Sequence, residues 1–396
     1  MTQAVVDALP ALSDGEFQRR WEEVGRMMER DELDLLVVYG DDHALFGNAN
    51  VRYVSDFPTH FEPALVLLAP GEDPVLATGP ETIEHARLVS RTRDVEAISE
   101  FGVPILEYPG LSMPSLREYL RASFPTRTFA RVGVVGFDLM SVGHWDVLRP
   151  AFGEAEIARL DDYLFELRPY KSEEEVAVLR HAFTIAERAF AALLEACVPG
   201  AREFEVAAAA EGTARALGAE GNAIDTMVAA NEYSAPIIGR TGTRELRPGD
   251  HVGVTFAPKF RGYGAPIGRL LYLGGDPPDH IAEAGEVARV AQERAAATLR
   301  DGATYAEVDA AARTYLREHG YDSAYGIGHS CGVQEFEPPY FGPEAEGAMA
   351  TRHVMSIDIG VYGHPWGGFR TEDAFVVTEN GSEPTTSVQH GLIALA

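Results

Sequence analysis

Two short stretches late in the chain hold residue types from which a reaction could be run. Gly326-Ile327-Gly328-His329-Ser330-Cys331-Gly332 carries an imidazole and a thiol, and Arg370-Thr371-Glu372-Asp373 sets carboxylates beside a guanidinium. His329 is the acid/base candidate, because imidazole alone changes charge unaided near pH 7; the plain alternative is a core histidine satisfied by hydrogen bonds. Cys331 would be a nucleophile only with a depressed pKa, and a packed thiol beside glycine is the simpler expectation. Asp358, in Ser356-Ile357-Asp358, lies in a candidate strand, and Glu372 lies just before another. Two carboxylates facing one pocket drive one pKa up and keep a proton available near neutrality. A substrate cation, Arg269 or Arg370 could instead neutralise them, and Arg370 and Glu372 could simply be paired strand residues.

The elements that must position these groups fall into two blocks. Residues 15–30 place Phe17, Trp21, Val24 and Met27 at helical spacing. Apolar runs at 35–38, 64–68, 75–77 and 132–135 are bounded by Gly, Pro or acids, as strands of a mixed sheet are, with helical segments at 81–90 and 115–122 between them. This predicts an α/β domain over residues 1–165, and residues 166–396 form the second domain. Ser172 followed by Glu175 is a capping box opening a long helix to Ala196, which Pro199-Gly200 ends. From there the chain repeats itself. Gly200-Ala201-Arg202-Glu203-Phe204-Glu205-Val206 matches Gly302-Ala303-Thr304-Tyr305-Ala306-Glu307-Val308 at Gly, Ala, Glu and Val, and Gly218 matches Gly320 at the same offset. Strands are expected after each half, at 252–257 and 270–273, then 354–361 and 374–378. An α/β domain with internal two-fold pseudosymmetry carries its site on the sheet between the halves.

Bulk properties exclude some classes. The net charge of −28 argues against nucleic acid and anionic membranes as partners, since nothing would neutralise phosphates. Two cysteines are too few for a disulfide framework. Met1 to Pro10 shows no basic region followed by an apolar core, and no run of 18 apolar residues occurs, so a cytoplasmic protein is expected.

The chain resembles the pita-bread family of creatinase, aminopeptidase P and prolidase. The likeness rests on Arg168-Pro169-Tyr170-Lys171-Ser172-Glu173, Arg247-Pro248-Gly249-Asp250, Gly262-Tyr263, the His329 stretch and Arg370-Thr371-Glu372-Asp373, in that order. It implies a creatinase-type N-terminal α/β domain before a pita-bread domain. Family peptidases hold two metals through two Asp, one His and two Glu, whose bridging carboxylates acidify a shared water. Here the aspartate positions read Thr255 and Pro266, the histidine is His329, the first glutamate is Asp358 and the last is Glu372. A dinuclear site is therefore not expected; His329, Asp358 and Glu372 leave open a mononuclear one.

Creatinase works without metal, and its local pattern is similar to Gly249-Asp250, Ala257-Pro258, Tyr263 and Arg269. Its shuttle histidine is absent, the corresponding segment reading Pro236-Ile237-Ile238-Gly239. The resemblance implies a homodimer in which the loop Thr59-His60-Phe61-Glu62 reaches a neighbour's active site, so that His60 and Glu62 could supply what is missing. Glu335 and Glu337 flank Phe336, where peptidases often carry a second histidine. The expectation is thus a metal-independent, cofactor-free, creatinase-like hydrolase cleaving a C–N bond in a small polar amide, amidine or cyclic amino-acid derivative. His329, Glu372 and Asp358 would be catalytic; Arg269, Arg370, Tyr263, Glu335, Thr255, His60 and Glu62 would bind substrate. The alternatives are a lyase or cyclase on the same scaffold, an inactive small-molecule-binding homologue, and a mononuclear-metal Xaa-Pro peptidase-like enzyme.

Overall fold

The computed structural model describes residues 9–103 and 108–396. The reading of Met1 to Pro10 as free of a secretion signal therefore falls mostly outside the described residues. Packing divides the chain into one unit spanning Leu12–Arg168 and a second built from Pro169–Ala396. Among the described residues no helix is long and apolar enough to cross a membrane.

In the first unit, helix α1 (Asp14–Arg30) begins at Ser13, whose side chain accepts from the Glu16 N–H, and buries Phe17, Val24 and Met27. The sheet contains β1 (Leu35–Gly40), β2 (Ala64–Leu68), β3 (Val75–Thr78), β4 (Asp94–Ala97), β5 (Arg131–Val135) and β6 (Glu156–Arg159), in the order β4-β3-β2-β1-β5-β6. β1 is antiparallel to β2 and parallel to β5. Every residue of β1 and β2 is buried, so these strands read as unbroken apolar runs. β4 and β6 escape sequence reading because they are short and half polar. The segment Asn50 to Ser55 forms a buried helix, α2 (Ala49–Ser55).

The second unit opens with α3 (Glu173–Ala196), whose cap is the expected reciprocal pair: Glu175 N–H donates to Ser172 Oγ (3.2 Å) and Ser172 N–H to Glu175 Oε2 (2.9 Å). α4 (Glu203–Ala216), β7 (Gly221–Ala230), β8 (His251–Phe260), β9 (Tyr263–Gly264) and β10 (Ile267–Leu273) follow. Then come α5 (Asp279–Thr298), α6 (Tyr305–Glu318), β11 (Gly328–Ser330), β12 (Glu337–Tyr340), β13 (Val354–His364), β14 (Gly367–Thr378), β15 (Gly381–Pro384) and β16 (Leu392–Leu395). The main path of the sheet is β12-β11-β13-β14-β10-β8-β7.

The sequence repeat has a structural cause. Gly200 and Gly302 both sit at positive φ. Gly200 N–H donates to Leu246 O and Gly302 N–H to Met349 O; Leu246 and Met349 return the bond to Ala201 and Ala303. Glu205 and Glu307 each accept the backbone N–H that opens their helix, at 2.7 and 2.8 Å, and Val206 and Val308 are fully buried. Each matching residue therefore does the same work in both halves.

Strands β10 and β14 start earlier than apolar pattern predicts, at Ile267 and Gly367. The added residues include Arg269, Arg370, Glu372 and Asp373, all buried. The charges that interrupt the apolar pattern are what the sheet carries at its centre.

The Gly249-Asp250 turn enters β8. Asp250 accepts from Arg247 N (2.8 Å), Asn231 Nδ2 (2.6 Å) and Arg244 Nη2 (3.0 Å). Burial raises its pKa, but the bonds from Arg244, Arg247 and Asn231 to its charged form prevail and hold it below the usual carboxylate value. A depressed folded pKa means that the contribution is present above the unfolded value, about 3.9, and lost as pH falls through the folded one. Asp250→Asn is expected to cost about 1–3 kcal/mol in urea unfolding at pH 7, with the gap to wild type closing as pH drops below about 3.9. A gap independent of pH would show that the carboxylate charge is not its source.

Candidate active site

Four strands align the candidate residues by register. Thr255 of β8 pairs with Gly268 of β10, Gly268 with Glu372 of β14, and Glu372 with Asp358 of β13. Directly paired residues project to one face, so Thr255, Glu372 and Asp358 form a row with a gap at Gly268. Arg370, two residues before Glu372, shares that face and lies across the gap. A Cβ at Gly268 would stand 2.7 Å from Arg370 Cγ and 3.0 Å from Glu372 Cβ, so glycine is required there. On the far edge β11 sets His329 opposite Ser356, which is on the face of Asp358 by strand alternation.

His329 Nδ1 lies 3.1 Å from the Ser330 carbonyl, which places the proton of the neutral ring there and turns Nε2 toward the carboxylates. Nε2 is 3.4 Å from Glu372 Oε1 and 3.9 Å from Glu335 Oε1. Ser356 Oγ–H donates to Glu372 Oε1 at 2.8 Å, while the buried Glu372 Oε2 has no hydrogen-bond partner among the described residues. Arg370 Nη1 donates to Asp358 Oδ2 (3.2 Å), Nη2 to the Ile237 carbonyl (2.9 Å) and Nε to the Tyr362 hydroxyl (3.3 Å). Tyr325 O–H donates to Asp358 Oδ1 at 2.9 Å.

Burial disfavours charge on every one of these groups. It opposes protonation of His329, yet hydrogen bonds with Cys331 and Glu372 outweigh it and raise the imidazole well above its usual value. Burial likewise pushes Glu372 up, but the His329 hydrogen bond and charge pull it below the carboxylate norm. In Glu335 burial wins over His329 and the carboxyl rises to about 7. In Asp358 burial outweighs the neighbouring Arg370, and the carboxyl rises to about 6. Burial also pushes the Cys331 thiol up to about 11, against the pull of His329, so Cys331 is a packed thiol and not a nucleophile.

Other residues singled out in the sequence lie elsewhere. Arg269 faces away from the row, bonding Asp373 Oδ1 (2.6 Å) and the Val388 and Gln389 carbonyls, so that it ties the segment before the C-terminal strand to the sheet. Tyr263 donates to Glu175 at 2.8 Å. Its neighbour Gly264 lets the Glu335 loop approach, since a Cβ there would be 2.7 Å from Glu335 Cβ. Glu337 is paired with Lys171 at 2.9 Å. In the first unit, exposed His60 bonds Asp42 (2.8 Å), and buried Glu62 accepts from the Glu81 and Thr82 N–H groups. Ser356 and Tyr362 were not among the sequence candidates, although strand alternation from Asp358 marks both positions. Tyr325, in a loop, carries no such signal.

The donors can be tested for metal. Among the described residues, His329, Glu335 and Glu372 offer one ligand atom each, all within 4.8 Å of one another. That set and the orphaned Glu372 Oε2 fit one divalent ion. They do not fit two: Thr255 and Pro266 offer no carboxylate, and Asp358 is already neutralised by Arg370. This revises the expected ligand set, Glu335 joining the cluster in place of Asp358.

A duplicated α/β unit with a buried imidazole–carboxylate cluster on its central sheet defines a pita-bread hydrolase. The chain belongs to metallopeptidase family M24, which residues 177–379 match. It is 32% identical over 240 residues to the Xaa-Pro dipeptidase of Pyrococcus furiosus, covering 60% of this chain and 69% of that protein. It is 28% identical over 356 residues to the probable dipeptidase PepE of Mycobacterium tuberculosis, covering 83% and 92%. Among solved structures, the prolidase of Pyrococcus horikoshii superposes with TM-score 0.80 at 25% identity, over 94% of this chain and 99% of that one. These likenesses overturn the expectation of a metal-independent, creatinase-like hydrolase of non-peptide C–N bonds. That expectation weighed the hairpin's missing aspartates above the rest of the chain, whose likeness is to proteins named as peptidases.

Gly268→Val is expected to lower stability by about 1–3 kcal/mol in thermal unfolding, because the new methyls displace Arg370 and Glu372. A variant as stable as wild type would show that Arg370 does not lie over this position.

Proposed function

We propose that the chain is a mononuclear-metal, Xaa-Pro peptidase-like hydrolase in which His329, Glu335 and Glu372 hold a single divalent ion. The observation that carries this reading is the convergence of those three donors beside a carboxylate oxygen with no partner. The names of the relatives support the substrate class. Such an ion, when bound, supplies an acidified water and a Lewis acid for the scissile carbonyl. The chain's own residues do the rest. Ser356 orients Glu372, leaving Oε2 turned free. Asp358 accepts from Tyr325 on one oxygen and from Arg370 on the other, which keeps it occupied as the anchor for Arg370. Met227, Ile237, Thr255, Tyr362, Phe369 and Arg370 line a narrow cleft of about 30 Å³ on the same sheet.

Metal analysis of the purified protein after manganese or zinc loading, with Leu-Pro hydrolysis assayed with and without chelator, tests this. One ion per chain and chelator-sensitive turnover are expected, with metal occupancy lost in Glu335→Ala. Chelator-resistant turnover, or no bound ion, would overturn it.

A homodimer and a cytoplasmic location belong to the same reading. Exposed Phe61 and Leu45, in the loops around His60, offer an apolar contact, and Cys197 and Cys331 are free and buried, as in a reducing compartment. Light scattering is expected to give twice the 43.0 kDa chain mass; a single-chain mass would refute the dimer.

A further inference from the structure

The face of the sheet turned away from the row carries a second set of buried polar groups. Helix α5 packs on it through Ala288, Ala291 and Ala295, and one amide, Gln292, stands fully buried in that apolar stripe. A buried amide is costly unless its polar ends are bonded. Gln292 Nε2 donates to the Ile357 carbonyl (3.1 Å), so Oε1 is the end turned to His390 Nδ1 (3.0 Å), and the imidazole carries a proton there. Ile357 lies between Ser356 and Asp358 on β13.

Arg269 makes the equivalent connection to β14. Fully buried, it donates to the Glu372 carbonyl (2.9 Å) and to Asp373 Oδ1 (2.6 Å), and it reaches the Val388 and Gln389 carbonyls at 3.2 and 2.7 Å. Thr386 Oγ1–H adds a bond to Asp373 Oδ1 (3.1 Å), and the Thr385 N–H and O–H both donate to the Ala374 carbonyl. Asp373 Oδ2 has no hydrogen-bond partner among the described residues and lies 3.5 Å from His390 Nδ1. Residues 385–390 are thus joined, through Arg269 and Gln292, to the backbone of Glu372 and of Ile357. The side chains of Ser356 and Glu372 project from those two strands on the opposite face and bond each other there.

We infer that residues 385–390 position the candidate ion site from beneath, Arg269 fixing Glu372 and the His390–Gln292 relay fixing the Ser356–Asp358 segment. This rests on the ion reading above. The ladder between β13 and β14 fixes their register, and bonds from the far face oppose tilting of the two strands about it. Glu372 keeps Oε2 turned toward the ion position only while Ser356, on the other strand, holds Oε1. Arg269, Gln292 and His390 are therefore positioning residues, and loss of such an outer partner weakens ion binding about 10-fold.

The test uses the full chain and replaces His390, whose side chain is 32% exposed, so that its loss disturbs folding less than that of buried Arg269 or Gln292. Asparagine presents an amide N–H near the place of Nδ1, glutamine carries it one bond further out, and alanine offers none. Hydrogen–deuterium exchange over residues 354–378 of the metal-free chain reads the two strands, and competition with a chelating dye reads manganese affinity. His390→Ala and His390→Gln are expected to speed exchange around Ile357 and Glu372 and to weaken manganese about 10-fold, with His390→Asn within about 2-fold of wild type in both. Unchanged exchange in His390→Ala and His390→Gln would overturn the inference. Faster exchange with unaltered manganese affinity would make the segment a structural clasp and overturn it as well. Faster exchange in a chain whose wild type binds no manganese would overturn the ion reading and uphold the positioning of Glu372 and Ser356.

Discussion

Burying charge is the constraint on which the site depends. His329, Glu335, Asp358, Arg370 and Glu372 are all under a tenth exposed, and any one of them alone would be prohibitively costly to desolvate. Together they compensate. Arg370 answers Asp358, His329 answers Glu372, and the remaining acid, Glu335, rises toward neutrality. Removing one member would strand its partner, so the cluster behaves as a unit and its geometry is set collectively.

Backbone arrangement makes that compensation possible. The row through Thr255, Gly268, Glu372 and Asp358 exists because three adjacent strand pairs keep register. The absence of a side chain at Gly268 opens the lane in which Arg370 lies, and the same absence at Gly264 admits the Glu335 loop. A cation laid across the sheet in this way occupies Asp358, which would otherwise be free to bind metal.

Compared with the ligand pattern that the family resemblance implies, carboxylate supply has moved. The β8–β10 hairpin contributes Thr255 and Pro266, neither an anionic donor, while the β11–β12 loop contributes Glu335. The same loop brings Phe336 and Tyr340 to the mouth of the site. The Lys171–Glu337 ion pair anchors that segment.

Local rules alone reach far along this chain. The Ser172–Glu175 cap, the glycine turns at 200 and 302 and the apolar strand runs are set by neighbours in sequence, where propensity and periodicity speak directly. His329 and Glu372 are recognisable from their flanking residues. What no window could show is which charges meet. Arg269 and Arg370 are buried arginines on neighbouring strands, yet one ties down the segment before the C-terminal strand and the other crosses Gly268 toward Asp358. Glu335 and Glu337 are two residues apart, yet one faces His329 and the other Lys171. Strand register and loop path decide these pairings, because electrostatic interaction depends on distance through space and desolvation on burial, and neither is a property of sequence separation.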